Sequence, residues 1–330
     1  MRATLPTTDL YFLNSCRIWV QNWWRNAPIT RVGPNSFHCN NRFLLIRRDE
    51  PELMERALKW PGVLIYLIDD DIDGAAQSPG LPGPYRDRLR LLARDHYDRL
   101  LRRADVIVTS SDALALRLTQ DKRVSGEIAR LDPFWTLPLA DRRHFKRSGS
   151  GTLEIVHLGT ASHAGGLAKI VPAIVNTLTH HSRARLTIIG NRNVHPSLDR
   201  HPRVRIIKPM RWPQYQHWLQ QKRFHIGLYP LEDTPFDQAR SINKIIEHAI
   251  VGAVGIYRDD WEPALMLHEG AISAPADLRL WETCIRNAIE NVDLLEAKAA
   301  SAAATVRELQ LRSAQLRFWS QLLKLEGYVG

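Results

Sequence analysis

The chain has 330 residues, 44% of them hydrophobic and 24% charged, with a formal net charge of +10 and a pI near 9.8. This composition can form a sizeable core in two ordinary domains, and no apolar run reaches the roughly 18 residues of a membrane-spanning helix. The start of the chain lacks the apolar stretch of a secretory signal, and the cysteines (Cys16, Cys39 and Cys284) are scattered. We therefore expect a cytoplasmic protein with free thiols, drawn by its charge to nucleotide diphosphates, anionic lipid or nucleic acid.

Aromatic residues dominate the first 40 positions, where Tyr11 and Phe12 are followed by Trp19, Trp23 and Trp24. Tryptophan beside arginine is typical of a membrane interface, so one interpretation is peripheral contact with an anionic membrane. The other is that these rings pack into the core of the first domain. The stretch is short and only weakly amphipathic, which favours the core.

From position 42 apolar strand-like runs alternate regularly with helical segments. Residues 43–46 and 62–68 are predicted strands around a helix at 51–60, and the second strand runs into Asp69, Asp70, Asp71 and Asp73. Polar groups at the carboxyl end of a parallel strand are commonly functional. The acidic cluster is open to three interpretations: a divalent metal site, an acceptor-side site that includes a base, or helix-capping carboxylates.

Residues 74–84 are rich in Gly and Pro and predict a mobile loop. The Arg/Leu helix predicted at 85–103 presents a basic face, either to solvent or to anionic lipid. A strand at 104–111 and a helix at 112–118 follow, and the irregular stretch 132–152 predicts a linker. We assign residues 1–140 to a short amino-terminal domain.

The second half repeats the alternation of strand and helix. Strands are predicted at 153–158, 185–190, 204–207 and 225–229, with a glycine-containing loop after the first that includes Gly159, Thr160 and His163. Such a loop lets the backbone approach a phosphate closely. This order predicts a doubly wound domain at 152–300, followed by a carboxyl-terminal helix at 301–330 that packs across both domains.

The segment 236–252 joins a polar loop to a short helix. Ser241 is a predicted N-cap, and Lys244 and Glu247, three residues apart, share one helix face. Lys244 is suited to a phosphate and Glu247 to a sugar hydroxyl, although a plain surface salt bridge has the same spacing.

The pattern Arg240-Ser241-x-x-Lys244-x-x-Glu247-x-x-x-x-Gly252 resembles the donor-binding segment of GT-B nucleotide-sugar glycosyltransferases of the family 4, or group 1, kind. Residues 68–70 and 159–163 resemble other segments of that family. The resemblance departs at Ala239, where one variant has Glu, and at Leu67, where the family has an earlier Asp.

This resemblance implies an α/β GT-B architecture, in which two Rossmann-like doubly wound domains face each other across a cleft and a helical tail follows. It implies that Lys244 approaches the donor diphosphate, that Glu247 holds the ribose, and that Gly252 closes the helix. The remaining implied donor contacts are Gly159, Thr160, Arg240 and Ser241, and the implied catalytic residues are Asp70, as an acceptor-side base, and His163.

The function expected from the resemblance is metal-independent transfer of a sugar from a nucleotide-diphosphate donor to a saccharide or lipid-linked acceptor, in polysaccharide or cell-envelope glycan biosynthesis. No cofactor beyond the nucleotide sugar and no nucleic acid is expected, and the protein would work in the cytoplasm or on the inner face of the cell membrane. Two alternatives remain: a nucleic-acid-binding protein, suggested by the charge, and an inactive GT-B-like partner protein, suggested by the altered motif positions.

Overall fold

The structure is a computed structural model that describes residues 4–20, 27–146, 151–159, 161–190 and 195–325. Two six-stranded sheets organise these residues. The first has the order β1-β2-β3-β4-β5-β6 and the second the order β12-β11-β10-β7-β8-β9. Pairings from β3 to β6 and throughout the second sheet are parallel, whereas β1, β2 and β3 pair antiparallel. The strands are β1 (Thr30–Arg31), β2 (Ser36–Cys39), β3 (Arg42–Ile46), β4 (Val63–Ile68), β5 (Val106–Thr109), β6 (Glu127–Arg130), β7 (Leu153–Leu158), β8 (Ala184–Ile189), β9 (Val204–Ile207), β10 (Ile226–Tyr229), β11 (Val254–Arg258) and β12 (Ile272–Ala274).

Helices connect and cover the strands. The α-helices are α1 (Pro6–Thr8), α2 (Asn14–Cys16), α3 (Pro51–Leu58), α4 (Ile72–Gln77), α5 (Gly83–Leu92), α6 (Asp98–Arg103), α7 (Asp112–Thr119), α8 (Arg143–Lys146), α9 (Ala164–His180), α10 (Pro196–Asp199), α11 (Trp212–Gln221), α12 (Pro235–Gln238), α13 (Asn243–Ile250), α14 (Glu262–Leu265), α15 (Trp281–Glu290), α16 (Val292–Leu309) and α17 (Arg312–Leu323). Single π-helical turns at Asp9–Leu13 and Ala93–Tyr97 join α1 to α2 and α5 to α6. Within the described ranges, no helix has both the length and the apolar character needed to cross a bilayer.

Part of the predicted mobile loop is helical. The Asp71 carboxylate accepts a hydrogen bond from the Gly74 backbone N–H at 2.9 Å and caps α4, which extends to Gln77. The prediction of a loop from residue 74 was therefore wrong for its first turn, because this local cap offsets the low helix propensity of Gly74. The capping interpretation of the acidic cluster holds for Asp71.

The amino-terminal aromatic rings belong to the core. Tyr11 and Phe12 have no exposed surface and Trp19 is only 3% exposed. From α17, the Trp319 ring packs edge-on against Phe12 at 5.2 Å between centroids, and its Nε1 donates to the Tyr11 carbonyl at 2.7 Å. The membrane-interface interpretation is wrong for Tyr11, Phe12 and Trp19, whereas Trp23 and Trp24 lie outside the described residues.

The carboxyl-terminal helices reach from the second sheet back to the first half of the chain. α16 packs against α13 and β11, and α17 packs against α2. On α17, the Gln315 side chain donates to the carbonyls of Leu10 at 2.9 Å and Asp132 at 2.6 Å. The non-helical residues Gln310 and Leu311 thus separate α16, which packs on the second half, from α17, which packs on the first.

The two halves also share buried apolar surface. One continuous cluster of buried side chains includes Phe12 and Ile65 from the first half together with Tyr229 and Ile246 from the second. Phe236 of α12 is buried in the core of the first half, in a second cluster. Burial of apolar surface between the halves holds them together around the cleft described next.

Candidate functional site

A cleft of about 300 Å³ lies where the carboxyl ends of the central strands of both sheets meet. Ligands of open α/β sheets bind at this edge. The residues that line it come from both halves: Pro6, Thr7, Leu10, Arg47, Asp69, Asp70, Trp135, Leu158, Gly159, His163, Ile189, Pro209, Met210, Trp212, Tyr215, Tyr229, Arg240, Ser241, Asn243, Lys244 and Glu247. Every predicted site residue lines this cleft except Thr160, which lies outside the described residues.

Lys244 and Glu247 form an ion pair inside the cleft. Lys244 Nζ lies 2.6 Å from Glu247 Oε2, and the two side chains are 14% and 7% exposed. The same oxygen accepts the Tyr215 hydroxyl of α11 at 2.6 Å. No hydrogen bond reaches Glu247 Oε1 from the described residues, so this oxygen is available to a ligand hydroxyl. The pair expected from the spacing exists, but it faces a cavity instead of the outer surface.

The start of α13 differs from the prediction. Its N-cap is Ile242, without a side-chain cap, and Ser241 precedes it. The Ser241 hydroxyl instead accepts a hydrogen bond from Asn243 Nδ2 at 3.0 Å and lines the cleft. The helix ends as the resemblance implied, because Gly252 has a φ of +77°, a left-handed conformation that favours glycine just after a helix.

The turn after β7 brings backbone close to the cleft. A side chain at Gly159 would place its Cβ 2.4 Å from His157 Nε2 and 2.9 Å from His163 Cβ, so the turn has room only for glycine. Burial, and then the positive charges of Arg240 and Lys244, lower the pKa of His163 well below its usual value. His163 therefore faces the cleft as a neutral imidazole that can exchange hydrogen bonds but carries no charge.

Arg240 links the two halves at the floor of the cleft. Its Nη1 lies 3.3 Å from Asp70 Oδ1, its Nη2 donates to the Ser162 carbonyl at 2.8 Å, and its guanidinium carbon lies 4.0 Å from the centre of the Phe236 ring. Asp70 Oδ2 is 3.0 Å from Arg47 Nη2. Asp70 thus lies in the cleft as predicted, but two guanidinium groups engage its carboxylate.

Asp69, which the sequence analysis named only as a member of the acidic cluster, also lines the cleft. Its Oδ2 accepts the Thr7 hydroxyl at 2.6 Å, and its Oδ1 lies 3.2 Å from Arg47 Nε. Burial raises the pKa of Asp69 despite the opposing charge of Arg47, and the neighbouring Asp70 raises it further. A carboxyl group with a raised pKa in a cleft is a candidate proton acceptor.

Aromatic side chains form another wall of the cleft. The rings of Trp135 and Trp212 meet edge to face at 5.2 Å. Trp212 Nε1 donates to Asp9 Oδ2 at 2.8 Å, and Trp135 Nε1 donates to Asn243 Oδ1 at 3.0 Å. With the polar edges satisfied by protein, this wall offers an apolar surface suited to a flat ring. No local pattern could have identified it, because its two rings come from distant segments of the chain.

Among the residues that the structure describes, no group of three or more His, Cys, Asp or Glu side chains is arranged to hold a metal ion. Asp69 and Asp70, the candidates for such a site, both pair with Arg47.

Comparisons with known proteins identify the fold. No family model matches the chain, and no curated protein matches it by sequence. Among solved structures, a sucrose-phosphate synthase from Thermosynechococcus elongatus matches with a TM-score of 0.59 at 13% identity, over 82% of this chain and 69% of that one. Anabaena HepE in complex with UDP and glucose matches at 0.58 and 12%, over 85% and 77%. An α,α-trehalose-phosphate synthase from Burkholderia vietnamiensis matches at 0.53 and 11%, over 82% and 70%.

At this identity the likeness establishes architecture. The chain has the GT-B fold, with two Rossmann-like α/β regions and a helical carboxyl-terminal tail, and the predicted fold class is confirmed.

Proposed function

We propose that the protein is a glycosyltransferase that uses a nucleotide-diphosphate sugar. The observation that carries the proposal is the placement of Lys244 and Glu247, on one turn of α13, at the cleft between the two halves of a GT-B fold. The similar HepE structure, described as a complex with UDP and glucose, supports a donor of this class.

In this proposal the cleft holds the donor in three parts. Lys244 and the backbone near Gly159 meet the diphosphate, Glu247 Oε1 accepts a ribose hydroxyl, and the nucleobase lies against the wall formed by Trp135 and Trp212. When the bond between sugar and phosphate breaks, negative charge develops on the diphosphate. The fixed charge of Lys244, with Arg240 nearby, stabilises that charge without a metal ion in the step.

The acceptor would bind on the wall formed by the first half. Thr7, Arg47, Asp69 and Asp70 line the cleft there. A saccharide or lipid-linked acceptor would place its hydroxyl near these carboxylates, and Asp69 or Asp70 would take the proton. Walls from both halves limit access of water, which favours transfer over hydrolysis. A role in polysaccharide or cell-envelope glycan synthesis belongs to this proposal.

Nucleotide binding tests the proposal. Calorimetric titration with a panel of nucleoside diphosphates should give binding that Lys244→Ala and Glu247→Ala weaken strongly. The exposed residues Lys122 and Glu127 lie outside the cleft lining, so Lys122→Ala and Glu127→Ala are matched controls that should bind normally. Sugar transfer is then measured as nucleotide release from the matching donors.

Other results of these binding and transfer assays would contradict the site assignment or favour another function. Full binding by both cleft variants would remove the site assignment. Tight, salt-sensitive binding of RNA or DNA without nucleotide binding would favour the nucleic-acid alternative. Nucleotide binding without turnover of any donor, across a broad acceptor panel, would favour the inactive partner protein.

A further inference from the structure

The two tryptophans that line the cleft come from opposite halves of the chain. Trp135 follows β6, the last strand of the first sheet, whereas Trp212 is the first residue of α11, between two strands of the second sheet. Their rings meet edge to face, with 5.2 Å between centroids. The wall on which the proposed nucleobase lies is therefore a contact between the halves.

Each indole N–H is accepted by the half that does not supply the ring. Trp212 Nε1 donates to Asp9 Oδ2 at 2.8 Å, and Asp9 lies in the amino-terminal segment, 203 positions away. Trp135 Nε1 donates to Asn243 Oδ1 at 3.0 Å, and Asn243 is the first residue of α13 in the second half. The two hydrogen bonds thus cross between the halves in opposite directions.

Further hydrogen bonds fix the backbone that carries Trp135. Its N–H donates to Gln310 Oε1 at 2.7 Å, between α16 and α17. The N–H of the preceding residue, Phe134, donates to the carbonyl of Leu10 at 2.7 Å, and Leu10 is the neighbour of Asp9 in the chain. The ring from the first half and the carboxylate that holds its partner ring are therefore anchored to one another.

The hydrogen bond to Asp9 also bears on the ribose side of the site. Trp212 and Tyr215 are three residues apart on α11, with 6.2 Å between their ring centroids, and the Tyr215 hydroxyl donates to Glu247. A bond that holds Trp212 therefore holds the helical turn from which Tyr215 reaches this carboxylate. The proposed base and ribose contacts are both linked to Asp9, although Asp9 does not itself line the cleft.

We propose that Asp9 and Asn243 are positioning residues of the donor site, and that each fixes the tryptophan of the other half in the orientation that a nucleobase needs. Ordering a free side chain on binding lowers affinity by about 3- to 10-fold, a cost that a ring already held in place avoids. Nucleotide recognition thus depends on residues of both halves. This inference rests on the proposed glycosyltransferase function, because that function places a nucleobase on this wall.

Indole N–H signals in ¹H–¹⁵N spectra report the two hydrogen bonds directly, and Trp135→Phe and Trp212→Phe assign them. In Asp9→Ala the proton signal of Trp212 should move upfield, because its acceptor is lost. In Asp9→Asn it should stay close to its wild-type position, because the amide oxygen still accepts. The signal of Trp135 should move in the same way in Asn243→Ala.

Nucleotide affinity is the functional readout, measured by calorimetry with the nucleoside diphosphate that binds wild type best. Asp9→Ala and Asn243→Ala should each weaken binding about 3- to 10-fold, whereas Asp9→Asn should stay within about 2-fold of wild type. In the Trp212→Phe background, where the indole N–H is gone, Asp9→Ala should have no further effect. Asp87→Ala, an exposed change on α5 outside the cleft lining, is the matched control and should bind as wild type.

A loss from Asp9→Ala that is as large in Trp212→Phe as in wild type would mean general support of the fold, and would overturn the proposal. Unchanged nucleotide affinity in Asp9→Ala and Asn243→Ala would do the same, as would a Trp212 signal that stays in place in Asp9→Ala. If wild type binds no nucleoside diphosphate, it is the proposed function that fails, while the indole signals still test the two hydrogen bonds.

Discussion

Replacing Tyr215 by Phe removes one hydroxyl from the donor site and leaves the ring in place. That hydroxyl donates to Glu247 Oε2 at 2.6 Å, and Lys244 Nζ reaches the same oxygen. Burial, and then the negative charge of Glu247, raise the pKa of Tyr215 well above its usual value, so the hydroxyl keeps its proton and remains a donor. Together the two donors hold Oε2 and leave Oε1 without a partner among the described residues of this cleft.

The expected loss of nucleotide affinity in Tyr215→Phe depends on how many donors still hold Glu247 Oε2. A hydrogen bond to a charged group contributes about 1.5–3 kcal/mol. Because Lys244 still holds Oε2 in Tyr215→Phe, we expect the lower end of this range, about 1.5 kcal/mol, which corresponds to roughly 10-fold weaker nucleotide binding. The loss should appear only for ligands whose ribose hydroxyls contact Glu247.

Calorimetric titration of a nucleoside diphosphate and of its 2′,3′-dideoxy counterpart measures this selectivity. Wild type should prefer the ribonucleotide, Tyr215→Phe should reduce the preference about 10-fold, and Glu247→Ala should abolish it. Gln214→Ala, an exposed change on the same helix, is the control and should leave it intact. An equal loss of affinity for both ligands in Tyr215→Phe, or an unchanged preference in Glu247→Ala, would refute the orientation of the carboxylate described here.

Three further changes probe the framework around the site. Arg240→Met removes the partner of Asp70 from the second half but leaves Arg47 paired with it, so the free energy of unfolding should fall by about 1.5–3 kcal/mol in urea titrations, the loss of a hydrogen bond between charged groups. Trp319→Ala removes a fully buried ring that joins α17 to the amino-terminal segment, and should lower the unfolding free energy by about 3–5 kcal/mol in the same assay. Burial lowers the pKa of His248 from 6.5 to about 3, so the unfolded state takes up a proton first as the pH falls below 6.5. Between pH 6.5 and about 3, this proton uptake should lower the free energy of unfolding by about 1.4 kcal/mol for each unit by which the pH falls. His248→Gln should reduce the slope of unfolding free energy against pH by that amount.

Exposed residues of the same types provide the controls. Arg90→Met breaks an exposed ion pair and should change the unfolding free energy by less than about 1 kcal/mol. His180→Gln, on the surface of α9, should leave the pH dependence as in wild type. A loss in Arg240→Met no greater than that in Arg90→Met would contradict the buried link between the halves. A pH slope unchanged in His248→Gln would contradict the neutral, buried state of that ring.

Much of the second sheet could be predicted from sequence because its strands are short, apolar and separated by helices of ordinary length. The strands at 153–158 and 204–207 match β7 and β9 in their bounds. The antiparallel strands β1 and β2 and the edge strand β6 were not predicted. β6 is only partly buried, from Glu127 to Arg130, so its sequence lacks the apolar run that marks a central strand.

The candidate site likewise has features that the sequence predicts and features that it does not. Lys244 and Glu247 could be placed on one face because the helical period puts residues three apart side by side, whatever surrounds the helix. The environment of the acidic cluster could not be derived. Asp69 and Asp70 are neighbours in sequence, yet one accepts the Thr7 hydroxyl and the other pairs with Arg240, 170 positions away.

The sequence by itself determined the strand pattern of the donor half, the turn at Gly159 and the helical face that carries Lys244 and Glu247. These depend on backbone periodicity and on contacts within a few residues. Only the tertiary structure decided that Tyr215 donates to Glu247 and that Arg240 pairs with Asp70. It also decided that Trp135 and Trp212 form one wall. Each of these contacts joins segments far apart in the chain, and their meeting depends on how the two halves pack around a shared core, which no local pattern encodes.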